Sequence, residues 1–213
     1  GDERGNMLAA LTTNVTRFFR EPHHFDLLRT QVLEPLVANA RAGARVRLWS
    51  AGCSTGQEPY SMAMTVLSVI PEATRLDVRI LATDIDPNVV ATGRAGIYNE
   101  EAVSPVPATL RDKYLKRDRD SGNWAVTPEL RSLITFNELN LIGDWPIKGK
   151  FDAIFCRNVV IYFEEPTQER IWGRFRQHMQ PHARLYVGHS ERVGDAGFET
   201  DGLTTYCLKR RGA

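Results

Sequence analysis

The chain has almost no net charge: 27 basic and 26 acidic side chains leave +1 over 213 residues. Such a balance gives no electrostatic footprint for nucleic acid and no basic face for a membrane surface, so neither is expected as a partner. Cysteine is scarce, with three residues (Cys53, Cys156 and Cys207), no C-x-x-C pair and no histidine at ligand spacing. A scattered, odd set excludes a disulfide framework and a structural metal cluster, and fits reduced thiols in the cytoplasm. No apolar run approaches the roughly 18 residues of a membrane span, and no secretory pattern opens the chain. The first six residues are polar and lack an initiating methionine, which reads as a domain excised from a longer protein. Also missing is the G-x-G-x-x-G of a dinucleotide fold, which argues against a nicotinamide dehydrogenase.

What is present is a compact globular composition, 42% hydrophobic and 25% charged, and one informative stretch. Residues 47–61, RLWSAGCSTGQEPYS, run from an apolar strand through a small-residue loop into a helix. Gly52 and Gly56 permit a tight turn and close approach of a ligand, since neither carries a Cβ. Pro59 suits a first helical turn, where a missing N–H costs nothing. Taken alone, this is also what an ordinary strand-to-helix turn looks like. Residues 77–87, DVRILATDIDP, add a second strand ending in two acids and a helix-initiating proline. Asp86, directly before Pro87, suits the helix cap. Asp84, at the carboxyl end of its strand, suits the hydroxyls of a ribose.

Strand-like and helix-like segments alternate along the rest. Helical period covers 27–42 despite Pro35, then 57–70, 87–95, about 110–115 and 167–179, and strands fall at 46–51, 78–83, 151–156 and 184–188. Two final strands are expected near 197–198 and 204–208. The polar stretch 116–123 reads as an exposed turn, and 124–127 with 132–136 are expected to pair as a small antiparallel insertion. The alternation predicts a mainly parallel, doubly wound α/β sheet.

Five segments in order resemble one family: TNVTRFFRE at 13–21, SAGCSTGQEPYS at 50–61, ATDID at 82–86, FDAIFCRNVVIYF at 151–163 and GHSE at 188–191. Together they are similar to the CheR-type chemoreceptor glutamate methyltransferases, which use S-adenosylmethionine, over nearly the whole chain from Leu11 to Lys209. The resemblance implies a class I methyltransferase, Rossmann-like fold, with a mostly parallel sheet, an antiparallel last strand and a small inserted antiparallel β-subdomain. It places that insertion at about 115–136 within a domain covering 14–213. Residues 1–13 would be the remnant of a linker from a helical, basic N-terminal domain.

The resemblance further implies cofactor contacts from Asn14, Thr16, Arg20, Glu58, Asp84, Asn140, Leu141, Arg157 and Asn158. It places Arg20 and Tyr162 beside the transferred methyl group as the catalytic pair. The residue types agree with the cofactor: Glu58 and Asp84 supply acceptors, Arg20 and Arg157 donors. Each has a plainer use. Asn14 and Thr16 could cap a helix, Asn140 could end a strand in a turn, Arg157 could be a surface cation, and Tyr162 could pack in the apolar run 159–161. The implied reaction joins the methyl group to a glutamate side chain of a bacterial chemoreceptor's cytoplasmic helical region. A glutamate has a pKa of about 4.3 and is already ionised near neutrality, so the reaction requires no general base, catalytic triad or metal. His23, His24 and His189 are accordingly left out of the catalytic set, and Cys53 and Cys156 read as packing residues.

Relatives that grasp a receptor's C-terminal tail tend to have a longer loop where this chain has Arg119-Asp120-Ser121-Gly122-Asn123. The enzyme is therefore expected to work without docking on such a tail; the resemblance to Rossmann-like methyltransferases, which are often monomeric, implies a monomer. A small-molecule methyltransferase and a noncatalytic S-adenosylmethionine-binding module remain as alternatives.

Overall fold

Two hydrophobic cores, one on each face of a seven-stranded sheet, organise the chain. The computed structural model describes residues 16–210 and 212. Asn14 and the linker 1–13 lie outside the described residues. A helical segment opens the fold: His23–Leu27 passes through a π-helical turn, Leu28–Leu33, into Glu34–Arg41, together α1. Pro35 accounts for the wide turn. It has no N–H to give, its ring crowds the carbonyl four residues back, and the amide of Glu34 bonds instead to the Arg29 carbonyl five residues earlier.

There follow β1 (Val46–Ala51), α2 (Gln57–Val69), β2 (Val78–Asp84), α3 (Pro87–Ala95), β3 (Ile97–Tyr98), α4 (Glu100–Val103), α5 (Ala108–Tyr114), β4 (Leu115–Arg117), β5 (Trp124–Val126), α6 (Pro128–Ser132) and β6 (Ile134–Glu138). The last third holds β7 (Phe151–Cys156), α7 (Glu165–Gln177), β8 (Met179–Val187), β9 (Phe198–Thr200) and β10 (Thr205–Leu208). The large sheet has the order β6-β2-β1-β7-β8-β10-β9. Its first five strands run parallel, and β10 is antiparallel to both β8 and β9. A mostly parallel, doubly wound sheet with an antiparallel last strand is therefore what forms.

The expected partner of β5 is corrected. Residues 132–136 do not pair with 124–127: β6 joins the large sheet in parallel with β2, Ile80 opposite Ile134. The small antiparallel sheet is instead β3-β5-β4, with Tyr98 opposite Trp124 and Leu115 opposite Val126. Thr127 explains the separation. Its hydroxyl caps α6 at the amide of Leu130, so a helix turns the chain away between β5 and β6.

Central strands are buried on both faces, as parallel strands covered by helices must be. Along β7, Ala153 and Phe155 face the core shared with α1 and α2, while Ile154 and Cys156 face the core shared with α7. Trp49 anchors the second core. It is fully buried, stacks edge-on with Trp145 and Phe175, and donates its indole N–H to Thr83 Oγ1 at 2.9 Å. Replacing Trp49 by alanine should lower unfolding stability by about 3–5 kcal/mol, through a cavity and an orphaned hydroxyl. Trp49→Phe should cost less. Denaturant unfolding checks both, and equal losses would show that cavity volume does not set the effect.

Candidate functional site

In open α/β sheets a ligand crevice forms outside the carboxyl ends of the strands where strand order reverses. Here that point lies between β1 and β7. The loop leaving β1 and the chain leaving β7 face each other across a cleft lined by Thr16, Arg20, Gly52, Ser54, Glu58, Arg157, Asn158 and Val159. Five of the residues expected at a cofactor site, Thr16, Arg20, Glu58, Arg157 and Asn158, thus come together.

The β1 loop is held from below. The amides of Gly52 and Cys53 both donate to the Thr83 carbonyl at 2.8 Å. Asp84 takes the amide of Ser54 on one oxygen (2.9 Å) and that of Asp86 on the other (3.1 Å). Burial pushes the Asp84 carboxyl upward, and these amides oppose the shift. Asp86 caps α3 at the Asn88 amide, 2.8 Å, as expected, whereas Asp84 holds the backbone of the β1 loop. Gly52 has φ 81°, and a Cβ there would lie 2.4 Å from Val159 Cγ2. Gly56 has φ 103°, and its Cβ would lie 2.9 Å from the Gly93 backbone. Neither position accepts a side chain.

Glu58 and Arg157 form a buried ion pair, Nε to Oε2 at 2.8 Å, and Ser50 donates to the other carboxylate oxygen at 2.6 Å. Arg157 is no surface cation. Its guanidinium also donates to the Arg20 carbonyl (2.5 Å) and to His24 Nδ1 (3.2 Å), and lies over the rings of Phe25 and Phe155. With Nδ1 accepting from Arg157, His24 carries its proton on Nε2 and gives it to Thr204 Oγ1 at 2.8 Å. Burial, then the Arg157 charge, lowers the His24 pKa to about 3, so the ring is neutral. Glu21, His23 and His24 offer ligand atoms within 4.8 Å of one another. The Arg157 guanidinium beside them, and the engagement of both His24 nitrogens, make this cluster unsuited to a cation. His24 is thereby a tether for the turn that carries Arg20.

Four of the five non-glycine residues with positive φ among the described residues flank these groups: Phe19 and Glu21 on either side of Arg20, Ser54 in the β1 loop and Asn158 after β7. Sparsely populated backbone persists where surroundings over-determine it, typically at working sites. Cys53 and Cys156 are buried, and desolvation raises both thiols well above their ordinary range, consistent with packing residues.

Three expected cofactor residues, Asp84, Asn140 and Leu141, are not among those lining this cleft. Asn140 ends the β6 segment in a turn, its Oδ1 accepting from the Ile142 amide at 3.0 Å. Leu141 is buried in the α7 core, its carbonyl taking Trp145 Nε1 and Arg174. Both lie beyond the carboxyl end of β6, at the same sheet edge as Asp84 but not among the cleft-lining residues. Tyr162 is half-exposed in the short turn Val160–Tyr162, while Val159 and Val160 are buried, so its ring is not part of the core. Sequence reasoning gave no role to Ser50, His24 or Glu191. Glu191 had a signal, as the last residue of the GHSE segment, but three of its four partners are backbone amides from a distant loop and leave no mark in side-chain types.

A seven-stranded sheet of this order, a glycine loop after β1 and an acid after β2 define a class I methyltransferase. Residues 14–207 match the family described as "CheR methyltransferase, SAM binding domain". The chain is 52% identical to a probable chemotaxis protein methyltransferase of Rhizobium etli, over 98% of this chain and 80% of that one. It is 39% identical to the chemotaxis protein methyltransferase of Escherichia coli, over 94% of this chain and 69% of that protein. Among solved structures, PKMT2 from Rickettsia typhi in complex with AdoHcy shows a TM-score of 0.44 at 14% identity, over 82% of this chain and 26% of that one. The chain belongs to the CheR methyltransferase family and holds its S-adenosylmethionine-binding domain.

Two measurements follow from the geometry. Gly52→Ala should weaken S-adenosylhomocysteine binding at least tenfold, because the new Cβ must displace Val159 in the cleft wall; unchanged affinity by calorimetry would remove that wall from the site. His24, neutral when folded, gains its proton only in the unfolded chain as pH falls below about 6.5. Stability is therefore full above that pH and should drop toward pH 3 by at most about 1.4 kcal/mol per unit from this residue. His24→Asn should remove that part of the slope in urea midpoints measured from pH 7 to 4.

Proposed function

We propose that the protein transfers the methyl group of S-adenosylmethionine to glutamate side-chain carboxylates of chemoreceptors, giving methyl esters. The observation that carries this reading is that none of the described residues lining the cleft is an available base. Among its described lining residues Glu58 is the one carboxylate, and both its oxygens are engaged, by Ser50 and Arg157. Such a cleft suits an acceptor that arrives ionised, as a glutamate does at neutral pH. The names of the chemotaxis relatives point to receptors as its source.

S-adenosylmethionine supplies the methyl group: a carboxylate oxygen bonds to the methyl carbon, the carbon–sulfur bond breaks, and S-adenosylhomocysteine leaves. The chain's residues bind, orient and exclude water. Asp84 accepts from the ribose hydroxyls while its other lone pairs hold the loop, and Asn14, Thr16, Asn158, Asn140 and Leu141 complete the cofactor's surroundings. Glu58 and Arg157 fix the floor. Arg20 guides the incoming carboxylate, and the Tyr162 hydroxyl orients it. An anion and a sulfonium become neutral products, so excluding water raises the reactants relative to the transition state. Held geometry lowers the barrier by several kcal/mol more.

The protein acts as a monomer in the cytoplasm on the receptor's helical region. The β4–β5 loop closes on itself, with Asp118 accepting from Ser121 and its amide donating to Asn123. That compactness supports action without a receptor tail. The test is methyl transfer to a purified receptor cytoplasmic fragment, read as methanol released by mild base, a signature of carboxyl methyl esters. Arg20→Ala and Tyr162→Phe should lower turnover by about 100-fold and 10-fold, and Tyr162→Phe should leave S-adenosylhomocysteine affinity unchanged. Binding without base-labile transfer would favour a noncatalytic module, and full turnover in Tyr162→Phe would remove its orienting role.

A further inference from the structure

The carboxylate of Glu191 lies under the loop that leaves β7 and is not among the residues lining the cleft. It accepts four backbone hydrogen bonds: Asn158 N (2.5 Å) and Gly188 N (2.9 Å) on one oxygen, Val160 N (2.9 Å) and Ile161 N (3.1 Å) on the other. The residue is 4% exposed. Between the last strand pair of β7 and the turn at Val160–Tyr162 the chain has neither a ladder nor a helix to satisfy these amides, and buried unpaired amides are costly. One acceptor-only group therefore dictates the path of residues 158–161. That path ends on the cofactor side at Asn158, held at φ 60°, and on the acceptor side at Tyr162.

Gly188 completes the arrangement. A Cβ there would lie 2.4 Å from Asn158 Oδ1 and 2.9 Å from Asn158 N, so no other residue lets the β8 end approach this closely. The Glu191 amide in turn donates to the Gly188 carbonyl at 2.9 Å, which ties the clamp to the strand end. We infer that Glu191 is a positioning residue for methyl transfer: its carboxylate sets the backbone between Asn158 and Tyr162, and so the distance between the cofactor wall and the group that orients the acceptor. This rests on the placement of Asn158 and Tyr162 in the site given above.

The chemistry of the clamp is specific to a carboxylate. Glutamine would turn an NH2 donor toward two amide donors, and aspartate would fall short by one methylene while keeping the right polarity. A positioning role also differs from a structural one in what it moves, because a loop displaced by about 1 Å loses rate without losing the fold.

The test compares Glu191→Gln, Glu191→Asp and Gly188→Ala with Val78→Ala, a buried change at the amino end of β2, the end of the sheet opposite the cleft, that serves as a stability control. All are assayed below their melting transitions for S-adenosylhomocysteine affinity, amide exchange at 158–162 and single-turnover methyl transfer at saturating S-adenosylmethionine. Glu191→Gln is expected to bind S-adenosylhomocysteine several-fold more weakly, to exchange faster at 160 and 161, and to lose at least tenfold in single-turnover rate. Glu191→Asp should recover part of each loss, and Gly188→Ala should reproduce the pattern from the opposite side. Val78→Ala should stay within twofold of the parent. If the Glu191 variants differ from the parent no more than Val78→Ala does, the clamp only supports the fold and the inference fails. Should Glu191→Gln not fold, Glu191→Asp and Gly188→Ala decide on the same readouts. If the parent binds S-adenosylhomocysteine but transfers no methyl group, the receptor-methylation reading fails separately, and affinity and exchange still decide whether Glu191 sets the cleft wall.

Discussion

Arg157 is the group on which the geometry of the cleft depends. A guanidinium almost wholly removed from water is strongly unfavourable unless its charge and donors are met. Here the Glu58 carboxylate, the Arg20 carbonyl, His24 and two aromatic faces meet them. Those partners come from α2, from the turn before α1 and from α1 itself, so satisfying one side chain fixes three parts of the chain against β7. Removing either member of such a buried pair typically costs about 3–5 kcal/mol, because the other is left charged and alone. The consequence for function is positional: the backbone of Arg20 is pinned, and its side chain projects from a fixed point.

The same device recurs along the carboxyl edge of the sheet. Glu58, Asp84 and Glu191 are each nearly buried, and each uses its oxygens to hold loop or helix rather than water. Carboxylates suit this because they accept several hydrogen bonds and compete for none as donors. Loops that bind ligands are ordinarily the least stable parts of a domain. Anchoring each of them to an anion keeps them ordered despite strained backbone at Ser54 and Asn158.

Most of the large sheet could be read from the sequence, because buried parallel strands announce themselves as short apolar runs followed by helical period. FDAIFC at β7 and VRILATD at β2 are such runs. Pairing was less readable. ITFNE at β6 alternates buried and exposed residues as an edge strand does, whichever sheet it joins. Two-residue β3 is too short to carry a pattern, and it is what completes the small sheet in place of 132–136. Within the site, glycines and acids at strand ends were visible because chemistry dictates the residue type there. The tether through His24 and Thr204 was not, since it joins positions 180 apart in sequence through a fold.

The contrast between Asp84 and Asp86 shows how far residue type alone reaches. Both follow one strand, both are acids, and both accept backbone amides. Asp86 has its partner two residues on, in its own helix, so its role is local and follows from the proline after it. Asp84 bridges two strands' loops by holding Ser54, thirty residues away, and is buried where Asp86 is not. Its role depends on β1 and β2 lying side by side, in register from Val46 opposite Val78 to Ala51 opposite Thr83. The acid that holds the β1 loop is thus the one whose position only the parallel pairing explains. The same holds for Glu191, which acts on residues 158–161 because β7 and β8 pair and bring their carboxyl ends together.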